Sequence, residues 1–284
     1  MYKLLNDDEC KDIIIKFNNG INRNKLSKEY GVVHRTISNI IQRNGKIRIK
    51  PNSKYSVNEK FFNSIDSEEK AYWLGFLYAD GYVIDKKHKF YSGLGIKDLD
   101  HLVKYNKSIE SNYPIKRKES KKYNYFYVEI TNMKYTQNLV DRGCVPIKTH
   151  KIEFPLLEKK LIRHFIRGFF DGDGSISCTQ NIAQFSICCA VEDFLKKLVD
   201  EMSKDISLNR TLKLYRRKNG LFIFINTSLD DIVKIGSYLY DDSYLYLDRK
   251  KEYFDYIKNN KNEIRKTIEK NRYRKRKKKN RDDK

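Results

Sequence analysis

The segment AYWLGFLYADGYV, Ala71 to Val83, returns as HFIRGFFDGDGSIS, His164 to Ser177, and one register relates the copies: Gly75 to Gly168 and Asp80 to Asp173 are each 93 residues apart. A period of this size is a duplicated structural unit rather than a solenoid. The chain is therefore held to a fold with two like halves. After each copy the same pattern follows. In the first half, Lys89 to Lys97, Ile115 to Lys118 and Tyr123 to Thr131 read as strands, with helical stretches over Leu99 to Ile109 and Lys134 to Asp141. In the second, Ile182 to Cys189, Leu212 to Arg217 and Leu221 to Thr227 read as strands, and Glu192 to Met202 and Leu229 to Leu239 as helices. Each half thus predicts a helix-strand-strand-helix-strand-strand-helix module, an α+β class of fold.

Within each repeated segment two small residues stand four apart, Gly75 with Ala79 and Gly168 with Gly172. That spacing leaves one nearly bare stripe on each helix, so two such helices can pack with their backbones unusually close. Asp66 with Glu69 predicts a capping box at the start of the first helix, and Gly81 a left-handed stop at its end. Paired about a pseudo-twofold axis, the helices bring Asp80 and Asp173 together at their negative ends, where two carboxylates repel. A hard divalent cation with oxygen ligands, Mg²⁺ or Mn²⁺, answers that electrostatic problem and also supplies a chemistry. The plainer alternative is a helix seam whose aspartates merely cap glycine turns. A calcium loop is excluded: DGDGSIS starts like one, but Ile176 and Ile182 stand where a glycine and a bidentate acid are needed.

WLGFLYADG and IRGFFDGDG resemble the paired LAGLIDADG motifs of single-chain homing endonucleases, and the strand and helix pattern stays similar through about Tyr256. The resemblance implies a pseudo-twofold duplicated αββαββα core whose two antiparallel sheets form a saddle over double-stranded DNA. It also implies that the closing aspartates, Asp80 and Asp173, bind the metals, each serving one strand cut. Tyr78 replaces the first acid of the motif, which Asp171 keeps. Sites of this family also use basic residues near the scissile phosphate. Lys97, Lys148 and Lys250 are placed for that role, with Arg249 competing with Lys250.

Strand alternation offers a separate check on a DNA-facing sheet. In HKFYSGLGIK, Phe90, Leu94 and Ile96 share a face with Ser92, against Lys89, Tyr91 and Lys97. Phe126, Val128 and Ile130 oppose Tyr125, Tyr127 and Glu129, and Ala183, Phe185 and Ile187 oppose Gln184 and Ser186. Lys89, Tyr91, Tyr125, Tyr127, Gln184 and Ser186 are the candidate DNA contacts; a solvated sheet face reads equally well for any one of them.

Residues 1–45 read as a small all-α helix-turn-helix, with apolar Leu26, Val32, Ile37 and Ile40 and Gly31 at the turn. In that reading His34, Arg35, Thr36, Ser38 and Asn39 lie on the exposed part of the second helix, the part that meets base edges. A plain helical hairpin is the alternative. Residues 46–64 read as a basic linker, 65–155 and 156–258 as the two halves, and 259–284 as a basic tail expected to be disordered when free, whether it clamps phosphates, keeps the chain soluble or serves as a localisation signal. The last 16 residues hold ten Lys or Arg and three acids.

Charge supports a polyanionic partner: 59 Lys and Arg stand against 37 Asp and Glu, with 21 Tyr and 15 Phe interleaved. Five cysteines without a C-x-x-C pair argue against a disulfide framework or zinc cluster, and no run has the length of a membrane span. The expectation is a monomer in a reducing intracellular compartment. Function then divides between a metal-dependent, site-specific double-strand DNA endonuclease and a protein of the same scaffold that binds nucleic acid without cutting, an intron maturase or transcription regulator.

Overall fold

The computed structural model describes residues 5–18, 21–43, 54–84, 88–120, 123–145, 151–180, 182–209 and 213–282. Two compact units divide the chain at residue 56.

The amino-terminal unit holds α1 (Asp7–Asn18), α2 (Arg23–Tyr30) and α3 (His34–Arg43). Asn6 and Glu9 exchange side-chain to backbone hydrogen bonds at the start of α1, and the Asn22 side chain accepts from the Lys25 amide at the start of α2. Both satisfy amides that a first turn leaves bare. Gly31 ends α2 at φ +65°, a backbone that only glycine adopts without strain, and this sets the turn into α3. Ile13, Leu26, Tyr30, Ile37 and Ile41 form the core of the unit, with Val32 and Ile40 packed against it.

The second unit holds α4 (Glu68–Asp80), β1 (Gly81–Ile84), β2 (Lys89–Gly95), α5 (Leu99–Ser108), β3 (Ile115–Glu119), β4 (Asn124–Thr131) and α6 (Met133–Asp141) as its first half. Its second half repeats the order with α7 (Lys159–Asp173), β5 (Gly174–Cys178), β6 (Ala183–Cys189), α8 (Glu192–Asp205), β7 (Leu214–Arg216), β8 (Phe222–Asn226) and α9 (Leu229–Tyr240). Helices α10 (Asp248–Asn259) and α11 (Lys261–Asp282) follow. Each half has one antiparallel four-stranded sheet, ordered β1-β2-β4-β3 and β5-β6-β8-β7. The architecture is an α+β fold with a duplicated αββαββα core.

Three expectations change on contact with the structure. Residues 57–64 do not belong to the linker: Val57, Phe61 and Phe62 are buried, and the Asn58 amide donates to the Ile109 carbonyl. Apolar side chains this close to α4 have somewhere to go, so the segment folds onto the first half. The cap of α4 is Ser67, which accepts from the Lys70 amide, while Asp66 takes the Ser64 hydroxyl and the Lys70 ammonium. Gly81 is extended, at φ −82°, rather than left-handed. What it avoids is a clash, since a Cβ there would lie 2.6 Å from the Leu77 carbonyl oxygen.

Arg167 of α7, wholly buried, ties the halves together. It donates to the Leu245 and Leu239 carbonyls at 2.9 and 3.0 Å and to Glu68 of α4 at 2.7 Å, and its guanidinium lies over the Tyr72 ring. Arg167→Met keeps the bulk but strands these acceptors in a dry core. The expected loss is about 3–5 kcal/mol, measured by urea unfolding.

Candidate active site and nucleic-acid face

α4 and α7 cross along their bare stripes. A Cβ on Gly75 would lie 2.0 Å from the Phe165 carbonyl oxygen, and one on Gly168 would lie 1.9 Å from the Tyr72 carbonyl oxygen. Adding 93 to Gly75 and Tyr72 gives Gly168 and Phe165, so the two contacts are the same contact seen from either side of the pseudo-twofold. Further along, a Cβ on Gly172 would meet the Ala79 methyl at 2.3 Å and an Asp80 carboxylate oxygen at 3.2 Å. The Asp80 carboxylate thus lies against the residue preceding Asp173, and both acids stand at the carboxyl-terminal end of the helix pair. Asp80 is half-buried and Asp173 exposed.

The donor set fits a hard cation. No cluster of three or more His, Cys, Asp or Glu is present among the described residues. An ion between Asp80 and Asp173 would meet carboxylate oxygens, the ligand type that suits Mg²⁺ and Mn²⁺.

The preceding motif position does other work. Asp171 is buried and accepts from Tyr72 Oη at 2.7 Å, Tyr240 Oη at 2.6 Å and the Leu247 amide at 2.8 Å. Tyr78 occupies the equivalent place in the first half and donates to the Arg142 carbonyl at 2.6 Å. Each holds the turn that follows the last helix of its own half. Acid and phenol are interchangeable here because one turn offers an amide and the other a carbonyl. Tyr72 Oη in turn accepts from His101 Nε2 at 3.0 Å. Burial, reinforced by Lys104, Lys250 and Arg249, pushes the His101 imidazole down to about 3. The unfolded chain takes up that proton near pH 6.5 and the folded one does not until far lower, so this residue costs stability as pH falls through the interval. His101→Gln is expected to show a shallower loss of urea midpoint between pH 6.5 and about 4 than the parent.

The basic candidates separate. Lys250 is buried, and Nζ donates to the Phe170, Asp171 and Gly174 carbonyls at 2.6, 2.8 and 2.7 Å. Burial pushes this ammonium down to about 8, against the pull of Asp171 and, more weakly, Asp80 and Asp173. Its three protons serve the end of α7, so it positions Asp173 by holding the helix terminus that carries it. Lys250→Met leaves three carbonyls without a donor, and we expect about 3 kcal/mol lost, read as a lower urea midpoint. Arg249 forms a two-pronged pair with Asp98 at 2.8 and 3.1 Å. Lys97 is exposed but sits in a short 3₁₀ turn, Ile96–Asp98, because β2 ends at Gly95. Lys148 lies outside the described residues.

The outward sheet faces differ between halves. On the first, Tyr91 stacks on Tyr127 with centroids 5.0 Å apart and donates to Tyr125 Oη at 2.8 Å, while Lys118 lies over the rings of Tyr123 and Tyr125. Lys89 is half-buried and paired with Glu129 at 3.2 Å. On the second, Gln184 is half-buried, but Ser186 is only 5% exposed. Alternation puts this serine on the outward side with Gln184, but its burial leaves little of it for a duplex to meet. Cys188, the next outward residue of β6, was missed. Its thiol donates to the Asp173 carbonyl at 3.7 Å, and the same alternation that marks Gln184 and Ser186 would have found it. In the amino-terminal unit His34, Arg35 and Asn39 are exposed, Thr36 and Ser38 half-buried, and the Ser38 hydroxyl turns back to the His34 carbonyl.

No described helix is long and apolar enough to cross a membrane. No protein-family profile matches the sequence, and no curated protein does. Among solved structures the chain is similar to full-length DUF199/WhiA from Thermatoga maritima, with a TM-score of 0.48 and 20% identity over 76% of this chain and 72% of that one. It is also similar to the I-LtrWI LAGLIDADG homing endonuclease bound to target DNA, at 0.43 and 14% over 75% and 97%. The third is I-DmoI in complex with DNA and Mn, at 0.42 and 17% over 63% and 98%. Likenesses this distant carry no weight on function; the duplicated core stands on the chain's own repeat, sheet order and glycine seam.

Proposed function

We propose that this chain is a site-specific DNA endonuclease of the homing type, a monomer that cuts both strands of a long asymmetric duplex. The observation that supports it most is the convergence of Asp80 and Asp173 at one end of a seam so close that only glycine fits. Two carboxylates brought together repel each other, and a divalent cation between them relieves that repulsion. In this reading Asp80 and Asp173 hold Mg²⁺ or Mn²⁺ beside the scissile phosphates, and a bound divalent ion supplies charge neutralisation on the phosphate and an activated water. Lys250 keeps the α7 terminus in place, Cys188 steadies the Asp173 carbonyl, and Lys97 and Lys148 are the cations proposed to meet phosphate. Lys89, Tyr91, Tyr125, Tyr127 and Gln184 contact the duplex, and the amino-terminal unit reads further base pairs through His34, Arg35 and Asn39.

One observation favours the non-cutting alternative: the three Lys250 protons are already held by carbonyls, so this lysine offers none to a phosphorane. A randomised-site duplex library separates the two. Incubated with Mg²⁺, an endonuclease yields cut molecules sharing a sequence. Specific retention without cutting would establish the binder, and a preference for structured intron RNA over duplex would make it a maturase.

A further inference from the structure

The basic carboxyl-terminal segment is helical rather than disordered, and its seating says what it does. α11 runs from Lys261 to Asp282, 22 residues. Ile264 and Ile268, one turn apart, are buried, while Lys261 and Arg265 both pair with Asp230 at 2.6 Å. The apolar stripe then stops: Arg272, the next position on that face, is exposed, as are Tyr273 and Arg274. From Lys270 to Arg281 the sequence has nine cations and no acid. So dense a run of positive charge on a helix that has left its apolar support suits a polyanion.

Its root is attached to one particular place. Asn271 Nδ2 donates to the Gln180 carbonyl at 2.8 Å, at the turn between β5 and β6. Tyr253 of α10 accepts from the Cys178 amide at 2.8 Å and donates to its carbonyl at 3.1 Å. β5 starts beside Asp173, so at about 3.4 Å per residue its far end is roughly 14 Å from the acids. Past Asn271 the helix extends a further ~16 Å.

We infer that the cationic end of α11 binds the phosphate backbone of duplex DNA flanking the part of the site covered by the second sheet. This rests on the duplex-binding reading above and extends it to one side of the target. Charge complementarity selects the partner: a duplex presents one phosphate per ~1.7 Å of axis, a density to match nine cations in three turns, whereas the helix lacks the apolar face that would seat it in a lipid surface.

The test is a salt series of binding to a random-sequence duplex of about 40 base pairs. It compares the full chain, a chain ending at Lys270, and a full-length chain with Gln at Arg272, Arg274, Lys275, Arg276, Lys277, Lys278 and Lys279, which keeps helix propensity. Neutralising about four phosphates contributes roughly 3.6 to the slope of log K against log salt. Both variants should lose about that much slope and at least about tenfold in affinity near 0.15 M salt. On a library-selected site, hydroxyl-radical protection should shorten on the second-half side only, with the cut positions unchanged. A slope change below about one, or protection lost equally on both sides, overturns the inference. So does an effect confined to phosphatidylserine vesicles. If the full chain itself binds no duplex, the duplex reading falls too, whereas a full chain that binds and is matched by both variants refutes this inference alone.

Discussion

Asp80→Asn and Asp173→Asn should each lower double-strand cleavage in Mg²⁺ by at least about 10²–10³-fold, the scale on which removal of one charge-stabilising group acts. Affinity for the same duplex in Ca²⁺ should be nearly unchanged. The substitution keeps shape and removes charge, so the seam through Gly172 is undisturbed. Without metal the two acids repel each other while both attract the buried Lys250 ammonium, so each variant should unfold close to the parent's urea midpoint. That pairing of lost activity with undiminished stability is what a metal-binding role requires and a capping role does not. A variant that cuts at the parental rate would refute the assignment, as would one that loses activity by unfolding.

The second large effect lies in the seam. Gly75→Ala places a methyl 2.0 Å from the Phe165 carbonyl oxygen, and Gly168→Ala places one 1.9 Å from the Tyr72 oxygen. Both obstacles are helix backbone, which cannot rotate aside as a side chain would. The helices must separate, and every buried ring along them moves in consequence: Tyr72, Trp73, Phe76, Phe165 and Phe169 are all in the core. Overpacking of this kind costs about 3 kcal/mol or somewhat more, measured as a shift in urea midpoint. Pseudo-symmetry adds a sharper expectation. The two variants should be destabilised equally, and the double variant by less than the sum, since one displacement of the helices relieves both clashes. Gly31→Ala is the contrast: nothing lies within 4 Å of its Cβ, and its cost comes only from the φ of +65°.

The architecture could be read from residues because its two strongest determinants are local. Glycine spacing and period-2 alternation were enough to place α4, α7 and most strands, and the inward faces of Phe90, Val128 and Phe185 are as alternation requires. Roles that depend on what another segment supplies were out of reach. Lys250 and Arg249 are neighbours with equal sequence credentials. Only packing against α7 and against Asp98 gives one to three carbonyls and the other to a carboxylate. Ser186 alternates correctly, yet it is buried. The seating of the first turns of α11 through Ile264 and Ile268 was also out of reach, because their apolar partners lie elsewhere in the chain.

What this sequence determined alone is the duplication, the closeness of its central seam and the identity of the two acids at its end. A missing side chain and a 93-residue register need no partner to be visible. Which cation is buried, which is exposed and which end of the second sheet carries the basic helix were decided by the tertiary structure. Burial and hydrogen bonding depend on atoms brought together from segments far apart in the chain, 80 residues for Lys250 and Phe170 and 151 for Arg249 and Asp98.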